Sequence, residues 1–220
     1  MKSLKNKIVP LMLCMLALPA LAQDRWQIGA GLSFHPAETV TYSASGIITV
    51  SGDVKRAEKW VPTIHAGYRF YDFEHSDLSV TGEYQFKTTF KVTGALRASG
   101  VGTAAFDFSD ASSQYIAPGI QWNFHRAVDF GFGLQYRFTK LETSDVSTRY
   151  DRPWLLGYVG YTFLKGEAMQ PYVALRLAAT PVKTGAPNFA SLLTGRDGQV
   201  KLMKSMAGDA ELSLQAGVRF

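Results

Sequence analysis

Over most of the chain, apolar residues return at every second position, a period typical of β-strands rather than helices. The clearest case is 209–220, where the apolar residues all share one face: Ala210, Leu212, Leu214, Ala216, Val218 and Phe220. Seven earlier stretches carry the same alternation: 25–35, 60–71, 78–88, 113–124, 128–140, 152–164 and 169–180. The sequence therefore predicts eight strands, each long enough to cross a bilayer when tilted, which takes roughly 9 to 11 residues.

The connections between these stretches alternate in length. Short turns follow the second, fourth and sixth predicted strands, at 72–77, 125–127 and 165–168. Long connections follow the first, third, fifth and seventh, at 36–59, 89–112, 141–151 and 181–208. Short turns at one end and long loops at the other are typical of an up-and-down barrel with both termini at the short-turn end. We therefore predict an all-β fold, an eight-stranded antiparallel up-and-down transmembrane β-barrel.

The first 22 residues have the three parts of a cleaved secretory signal peptide. Residues 1–7 carry three lysines, 8–18 are apolar, and 19–22 end in a small-x-small pattern. We expect this segment to be removed on export, which leaves 23–220 as one barrel domain. The only cysteine, Cys14, lies inside the leader, so the sequence predicts a mature chain without disulfides or thiolate metal sites.

Charge and hydropathy narrow the classes further. Removal of the leader lowers the formal net charge from +5 to +2, because it holds three lysines and no acidic residue. A strongly basic nucleic-acid-binding protein is therefore excluded. After Ala22 no stretch reaches the roughly 18 apolar residues that a helical membrane span needs.

Side-chain volume indicates which face of the predicted barrel is outside. Of the 28 aromatic residues, 16 fall on the apolar faces. The interior of an eight-stranded barrel is only just wide enough for ordinary side chains, so these rings must point outward. Near the strand ends they predict two aromatic girdles at the lipid–water boundaries. The predicted girdle residues are Trp26, Phe34, Trp60, Phe70, Trp122, Phe124, Phe130, Phe138, Tyr161 and Phe163.

The opposite face carries charged residues, which we predict to form a network inside the lumen. An Arg or Lys turned toward the middle of the bilayer would cost about 2 to 4 kcal/mol. Charges pointing inward need partners, because an unpaired buried charge is strongly destabilising. The predicted network consists of Arg69, Glu83, Lys87, Arg137, Arg176 and Glu211. Within it, Arg176 and Glu211 are expected to join Arg137 and Glu83, with the pairings left open.

These features resemble the small outer-membrane β-barrel proteins, the OmpA-like, OmpX-like and opacity-type porin group. The resemblance rests on the leader, the eight alternating stretches and the alternating C-terminal segment that ends in Phe220. That segment is similar to the signal by which the barrel-assembly machinery recognises such chains. The resemblance implies a Gram-negative outer membrane, periplasmic termini, and contacts with outer-membrane lipids and lipopolysaccharide. It implies location and leaves activity open.

Candidate chemistry is sparse, and we expect no cofactor and no metal site. His35 stands at the extracellular rim, and Asp110 and Ser112 lie in the second long connection. Such a set is similar to the histidine, aspartate and serine of a lipid A palmitoyltransferase of barrel type, although any polar loop would supply these residues. His65 falls on the inward phase, and we interpret it as a hydrogen-bonded lumen residue.

Two of the long connections carry patterns of their own. In 89–112 the alternation continues through Phe90 and Val92 and resumes at Phe106, which predicts a hairpin protruding from the membrane. Either it is a stiff hairpin over the barrel mouth, or its edge pairs with an extracellular partner. The connection 181–208 predicts a short helix or a membrane-surface segment bearing Lys201 and Lys204.

The sequence thus favours a non-enzymatic outer-membrane barrel that serves envelope structure or surface interaction through its long loops. The alternative is a narrow porin-like channel for small solutes, which would need a continuous water path through the lumen. A lipid A-modifying enzyme is the third hypothesis, and it lacks the remaining motifs of that class.

Overall fold

The computed structural model describes residues 25–44, 50–98, 102–107, 111–143, 146–183, 196–205 and 207–220. The predicted signal peptide lies outside this part of the chain. The strands are β1 (Trp26–His35), β2 (Glu38–Ala44), β3 (Val50–Arg56), β4 (Lys59–Asp72), β5 (Ser76–Phe90), β6 (Val92–Ala98), β7 (Gly102–Asp107), β8 (Ala111–Phe124), β9 (Asp129–Glu142), β10 (Ser147–Thr162), β11 (Gln170–Ala179) and β12 (Ala210–Arg219). One helix, α1 (Arg196–Ser205), precedes β12.

Eight of these strands close into an antiparallel barrel. The order around the wall is β1-β12-β11-β10-β9-β8-β5-β4, and β4 pairs back with β1 to complete the circle. At the seam, Gln27 of β1 lies opposite Arg219 of β12. The predicted fold class is therefore confirmed. One end of the barrel carries the three short turns and the other the long connections, and we call these the short-turn end and the long-connection end.

Successive side chains of each barrel strand point alternately to the outside of the barrel and into the lumen. Large apolar side chains point outward, and the inward positions hold mostly polar groups and small residues together with a few rings such as Tyr115, Trp154 and Tyr172. Inward glycines leave space for rings from neighbouring strands. A Cβ on Gly131 would lie 2.4 Å from Cε1 of Tyr158. The lumen of this barrel is therefore packed with side chains rather than empty.

A β-bulge in β5 interrupts the alternation. The pairing with β8 shifts register between Gln85 and Thr88, so Phe86 and Lys87 are both exposed on the outer face. A bulge inserts one unpaired residue and reverses the faces of everything that follows it. Beyond it Phe90 points inward and is only 4% exposed.

The first two long connections form a second sheet above the barrel wall. Its order is β2-β3-β6-β7, and β3 pairs with β6 through Val54 opposite Gly94. The hairpin predicted in 89–112 is present as β6 and β7, whereas 36–59, predicted to be a loop, forms the hairpin β2–β3. The two hairpins meet because β3 runs into β4 and β6 continues β5, and these barrel strands are neighbours. The residues at the tip of the predicted hairpin, 99–101, lie outside the described residues.

Helix α1 packs over the top of β9 and β10 at the long-connection end. Its Met203 is buried together with Leu141 and Val146, and Tyr150 and Val200 pack against this cluster. The short helix expected around Lys201 and Lys204 is therefore found. Within the described ranges, no helix is both long and apolar enough to cross a membrane.

Candidate functional site

Two ion pairs cross the middle of the lumen. Nη1 of Arg137 lies 2.7 Å from Oε2 of Glu211, and its Nη2 lies 3.3 Å from Oε1. Nη1 of Arg176 donates to Oε2 of Glu83. The Tyr115 hydroxyl joins the pairs, since it lies 2.6 Å from Oε1 of Glu83 and 3.4 Å from Oε1 of Glu211. We call the four charged residues the lumen quartet.

The quartet spans the barrel because its partners come from strands that are not neighbours. Arg137 is on β9 and Glu211 on β12, with β10 and β11 between them in the wall. Arg176 on β11 and Glu83 on β5 are further apart around the circle. All four side chains are buried, Arg137 being 2% exposed and Glu211 1% exposed. The two ion pairs therefore act as crossbars in which the Nη groups and the carboxylates satisfy one another in place of water, while Nε of each arginine has no partner among the described residues.

A column of stacked rings and guanidinium groups continues the quartet toward the long-connection end. The Arg137 guanidinium lies 4.3 Å from the Tyr115 ring and 3.9 Å from the Trp154 ring. Above it, Arg152 lies 5.0 Å from Trp154 and 4.6 Å from Tyr150. Arg–aromatic contacts of this kind are strongest where water is excluded. We call these five residues the arginine–aromatic column.

The top of this column is attached to the cap of the barrel. Arg152 donates to Oδ1 of Asp209 at 2.7 Å and to the carbonyl oxygen of Gly208, just before β12. Lys204 of α1 lies 5.8 Å from the Tyr150 ring. Sequence reasoning did not include Arg152 or Trp154 in the network. The sequence pattern could have indicated both residues, because Tyr150, Arg152 and Trp154 alternate along one face of β10.

Four of the six residues predicted for the lumen network form the quartet, and the other two lie elsewhere. Arg69 lies near the short-turn end, where its Nε is 3.3 Å from Oδ1 of Asp72. Lys87 is on the outer surface, 2.6 Å from Oε2 of Glu142, because the bulge in β5 turns its side chain out of the lumen. The placement of Lys87 in the lumen was therefore wrong.

The residues predicted for the aromatic girdles line the outer face near the strand ends. Neighbouring rings contact one another: Trp26 is 5.0 Å from Tyr68, Phe34 is 5.0 Å from Trp60, and Phe124 stacks on Phe130 at 5.0 Å. The strand with two apolar faces, β10, turns a set of exposed residues outward. This set is Leu155, Val159 and Tyr161, and Phe163 just after β10 is exposed with it.

His35, a candidate for lipid chemistry, lies inside the barrel wall near the quartet. Its Nε2 is 2.9 Å from Oε1 of Gln85 and 3.5 Å from Oε2 of Glu211. Ser112 is turned to the carbonyl oxygen of Glu142, at 3.5 Å. Asp110, the third member of the candidate set, lies outside the described residues. The contacts of His35 are thus those of a buried residue that joins Gln85 to the quartet.

Space inside the barrel is found on the short-turn side of the quartet. A cavity of about 640 Å³ lies at that end, and its lining includes Asp77, His125 and Arg219. An inner cavity of about 40 Å³ is lined by His65 and Arg176 among others, which is room for a few water molecules. Gln27 and Arg219 line both cavities. The two cavities are therefore neighbours on the short-turn side of the quartet, and Glu83 and Arg176 line the inner one.

A separate group of charged residues at the short-turn end links the turns after β8 and β10 to the strands β5, β9 and β12. In the turn after β8, Nε2 of His125 contacts Oδ2 of Asp77, and its Nδ1 is 3.5 Å from Oδ1 of Asp129. Asp129 also lies 2.9 Å from Lys165 Nζ and 3.1 Å from Arg219 Nη1. The hydrogen bonds to Asp129 and Asp77 raise the pKa of His125 above its ordinary value, against the opposing effect of burial.

Comparisons with known proteins give structural neighbours only. No protein-family model and no curated protein sequence matches the chain. The fold is similar to that of the outer membrane protein OprG from Pseudomonas aeruginosa, with 11% sequence identity, a TM-score of 0.47, and coverage of 89% of this chain and 91% of that one. It is also similar to Neisserial surface protein A, with 14% identity, a TM-score of 0.42, and coverage of 88% and 95%.

A third neighbour is Ail, the attachment invasion locus protein of Yersinia pestis. It has 12% identity and a TM-score of 0.33, with coverage of 89% of this chain and 99% of that one. The class of the protein, a closed eight-stranded antiparallel β-barrel, rests on the strand pairing itself.

Proposed function

We propose that this chain is an integral outer-membrane barrel with a closed lumen, which serves envelope structure or surface contact rather than the passage of solutes. The observation that carries the proposal is the pair of buried crossbars, Arg137–Glu211 and Arg176–Glu83, between strands that are not neighbours.

The outer face of the barrel supports a membrane location. Large apolar side chains are exposed all around the wall, with values such as 55% for Ile120, 61% for Leu134 and 56% for Leu214. Soluble monomers rarely expose continuous apolar patches above a few hundred Å². Lipid would cover this belt, and the aromatic rings at its two edges fit the boundary with water.

The ends of the chain support an outer membrane in particular. The leader-like segment 1–22 would export the chain, and Phe220 would serve as its assembly signal. Phe220 closes the seam of the barrel, since its backbone N–H donates to the carbonyl oxygen of Trp26 at 2.8 Å. We propose that the barrel-assembly machinery recognises this segment and that the short-turn end faces the periplasm.

The lumen packing argues against the narrow-channel alternative. Breaking a buried ion pair by loss of one partner costs about 3 to 5 kcal/mol, so thermal motion opens such a crossbar rarely. Above the crossbars the lumen is filled by Trp154 and Arg152, which are 4% and 3% exposed. A solute would have to displace two ion pairs and the arginine–aromatic column together.

The sheet β2-β3-β6-β7 and α1 are the parts available for surface contact. The sheet faces solvent through polar residues, of which Thr41 bonds Oδ1 of Asp53 at 2.8 Å across β2 and β3. An extracellular partner would meet this folded surface rather than flexible loops. The enzyme hypothesis has less support, because the contacts of His35 go to Gln85 and to a carboxylate already bound by Arg137.

Planar-bilayer conductance of the folded protein tests this function. Washed outer membranes should yield a band whose gel mobility changes on boiling, and the purified barrel should show no steady conductance. The variant R137A/E211A should lose stability and still not conduct, since Arg176–Glu83 remains. The matched control is K140A/E142A, which removes a pair on the outer surface.

Two outcomes would overturn the proposal. Steady conductance of the native protein, or of R137A/E211A but not K140A/E142A, would make the barrel a plugged channel. Recovery of the chain from the soluble periplasm, with a band that never shifts, would refute the membrane location.

A further inference from the structure

A group of charges lies on the outer surface of the barrel, just beyond the apolar belt at the long-connection end. Lys87 Nζ is 2.6 Å from Oε2 of Glu142, and Lys140 Nζ is 2.5 Å from Oε1 of the same carboxylate. Beside them, Nε of Arg149 is 2.8 Å from Oδ2 of Asp151. We call these five residues the rim cluster.

The cations of the rim cluster stand in one row across the wall. Lys140 of β9 is paired with Arg149 of β10 on one side and with Gln114 of β8 on the other. The bulge in β5 places Lys87 opposite Gln114, between the pairs made by Gln85 and Thr88. With neighbouring strands about 4.8 Å apart, the row extends over about 14 Å. Without the bulge, Lys87 would point into the lumen and the row would lose one end.

The row lies at the depth where a lipid headgroup begins. On β5, β8 and β9 the next outward positions toward the belt are Phe86, Ile116 and Phe138, all of them apolar. On β10 that position is Asp151, which is paired with Phe138 in register and binds Arg149. The Arg149 guanidinium also lies 4.9 Å from the Phe138 ring, so it is held at the edge of the belt rather than extended into solvent. The row of cations therefore borders the apolar belt on three strands, with one acidic group beside it on the fourth.

The carboxylates of the cluster fix the cations without using all their hydrogen-bond donors. An ammonium has three N–H donors and a guanidinium five. Hydrogen bonds from Lys140 and then Lys87 lower the pKa of Glu142 to about 2, so this carboxylate stays charged at neutral pH. The side chains of Lys87, Lys140 and Arg149 remain 57%, 51% and 64% exposed. Three cations face two carboxylates, and the excess charge favours an anion at the membrane edge.

We propose that the rim cluster binds the phosphate groups of a lipid headgroup, of the phosphorylated glucosamine kind found in lipopolysaccharide. A phosphomonoester carries about −1.5 to −2 charges, opposite in sign to the excess charge of the row, and its three acceptor oxygens can take the remaining N–H donors. Its acyl chains would then lie along Phe86, Ile116 and Phe138. The inference rests on the membrane location proposed above, and it adds the lipid chemistry and the residues that recognise it.

Native mass spectrometry of the folded barrel in detergent tests the site. The probes are lipid A and the same lipid after enzymatic removal of its phosphates. The native protein should retain lipid A and release the dephosphorylated lipid. The variant K140Q/R149Q should weaken lipid A binding at least about tenfold, since each charge-assisted hydrogen bond contributes about 1.5 to 3 kcal/mol. The matched control is R25Q/R126Q, which removes two exposed arginines at the short-turn end.

A second variant tests the site in the opposite direction. E142Q removes the negative charge that competes for Lys87 and Lys140, so lipid A should bind about threefold more tightly, a modest change because exposed ion pairs are weak. Equal affinity of the native protein and K140Q/R149Q, or equal retention of the two lipids, would overturn the inference. Displacement of lipid A by inorganic phosphate alone would assign the cluster to free anions and also overturn it. Binding is measured in detergent, so its failure is distinct from a failure of membrane fractionation.

Discussion

At the scale of single residues, the quartet depends on pairing rather than on charge alone. Arg137 and Glu211 are both almost fully buried, so either one without the other would be an uncompensated charge in a low-dielectric lumen. This differs from the exposed pair Lys140–Glu142, where water replaces a lost partner. The same chemistry therefore has different energetic consequences inside and outside the wall.

Replacement of Arg137 by Met should destabilise the barrel by about 3 to 5 kcal/mol, because Glu211 would be left buried and unpaired. The double variant Arg137→Met/Glu211→Gln should cost less than the two single changes together. Unfolding by urea in lipid vesicles, followed by tryptophan fluorescence, measures these differences. Lys140→Met is the control and should change the free energy by less than about 1 kcal/mol. Strictly additive costs for Arg137 and Glu211 would show that the two do not act as a pair.

His125 should make the stability of the short-turn end depend on pH. Its pKa is raised by Asp129 and Asp77, so the protonated form is favoured in the folded state. The stabilisation is then complete below the unfolded pKa of about 6.5, and it is lost as pH rises through the higher folded value.

The difference in free energy of unfolding between the native protein and His125→Asn measures this contribution. It should be largest near pH 6 and should fall steadily above pH 7 as the imidazole loses its proton. The groups around the ring are Asp77 on β5, Asp129 on β9, Lys165 in the turn after β10 and Arg219 on β12. A difference that grows with pH would contradict the assigned ion pairs.

At the scale of elements, the bulge in β5 determines which side chains face the lumen and which face outward at the long-connection end. It exposes Phe86 and Lys87 together, and it turns Phe90 inward beneath the sheet, where the Arg56 guanidinium lies 5.1 Å from its ring. One extra residue therefore moves a cation out of the lumen and an aromatic ring into it. A hydropathy pattern read with a fixed period of two assigns both residues to the wrong face.

Cysteine labelling can test the bulge, in a Cys14→Ser background that has no other thiol. In the native register Thr89→Cys should react with a water-soluble maleimide and Thr88→Cys, at a position 8% exposed, should be protected. Deletion of Lys87 leaves Gln85, Phe86 and Thr88 opposite Tyr115, Gln114 and Ser113 in regular alternation, so position 89 should stay reactive and position 88 protected. Faster labelling at position 88 than at 89 in the undeleted chain would show that the bulge is absent.

At the scale of the whole molecule, the barrel is open at one end and closed at the other. The 640 Å³ cavity lies at the short-turn end, whereas the crossbars, the arginine–aromatic column and α1 fill the lumen toward the long-connection end. The sheet β2-β3-β6-β7 extends the wall on one side, and α1 covers the other. This asymmetry supports the proposed closed barrel, in which the filled end would face the cell exterior.

Thiol accessibility should reveal this asymmetry. Gln27→Cys lines both cavities and should react with a small polar maleimide in the folded, detergent-solubilised barrel. Ser33→Cys replaces a residue with no exposed surface that is linked to Glu211 through Ser213, and it should react only after unfolding. Equal rates at the two positions would show that water reaches the crossbars freely, which would support a channel.

The sequence by itself determined the eight barrel strands, their inward and outward faces up to the bulge in β5, and the burial of charge in the lumen. These features follow from the local period of two and from the free energy of placing aromatic rings and charges in lipid or in the lumen. Neither requires knowledge of which residues contact one another. Glu83, Arg137, Arg176 and Glu211 could be chosen on that basis.

Only the tertiary structure decided which of these charges pair, because each partner lies on a strand distant in sequence and on the opposite wall of the barrel. It also decided that 36–59 forms a hairpin, since β3 is held by pairing with β6 and β2 by pairing with β3, rather than by a strong pattern of their own. The place of Lys87 depended on a single unpaired residue in β5. A shift of one residue leaves composition and hydropathy unchanged, yet it sends a side chain to the opposite face of the wall.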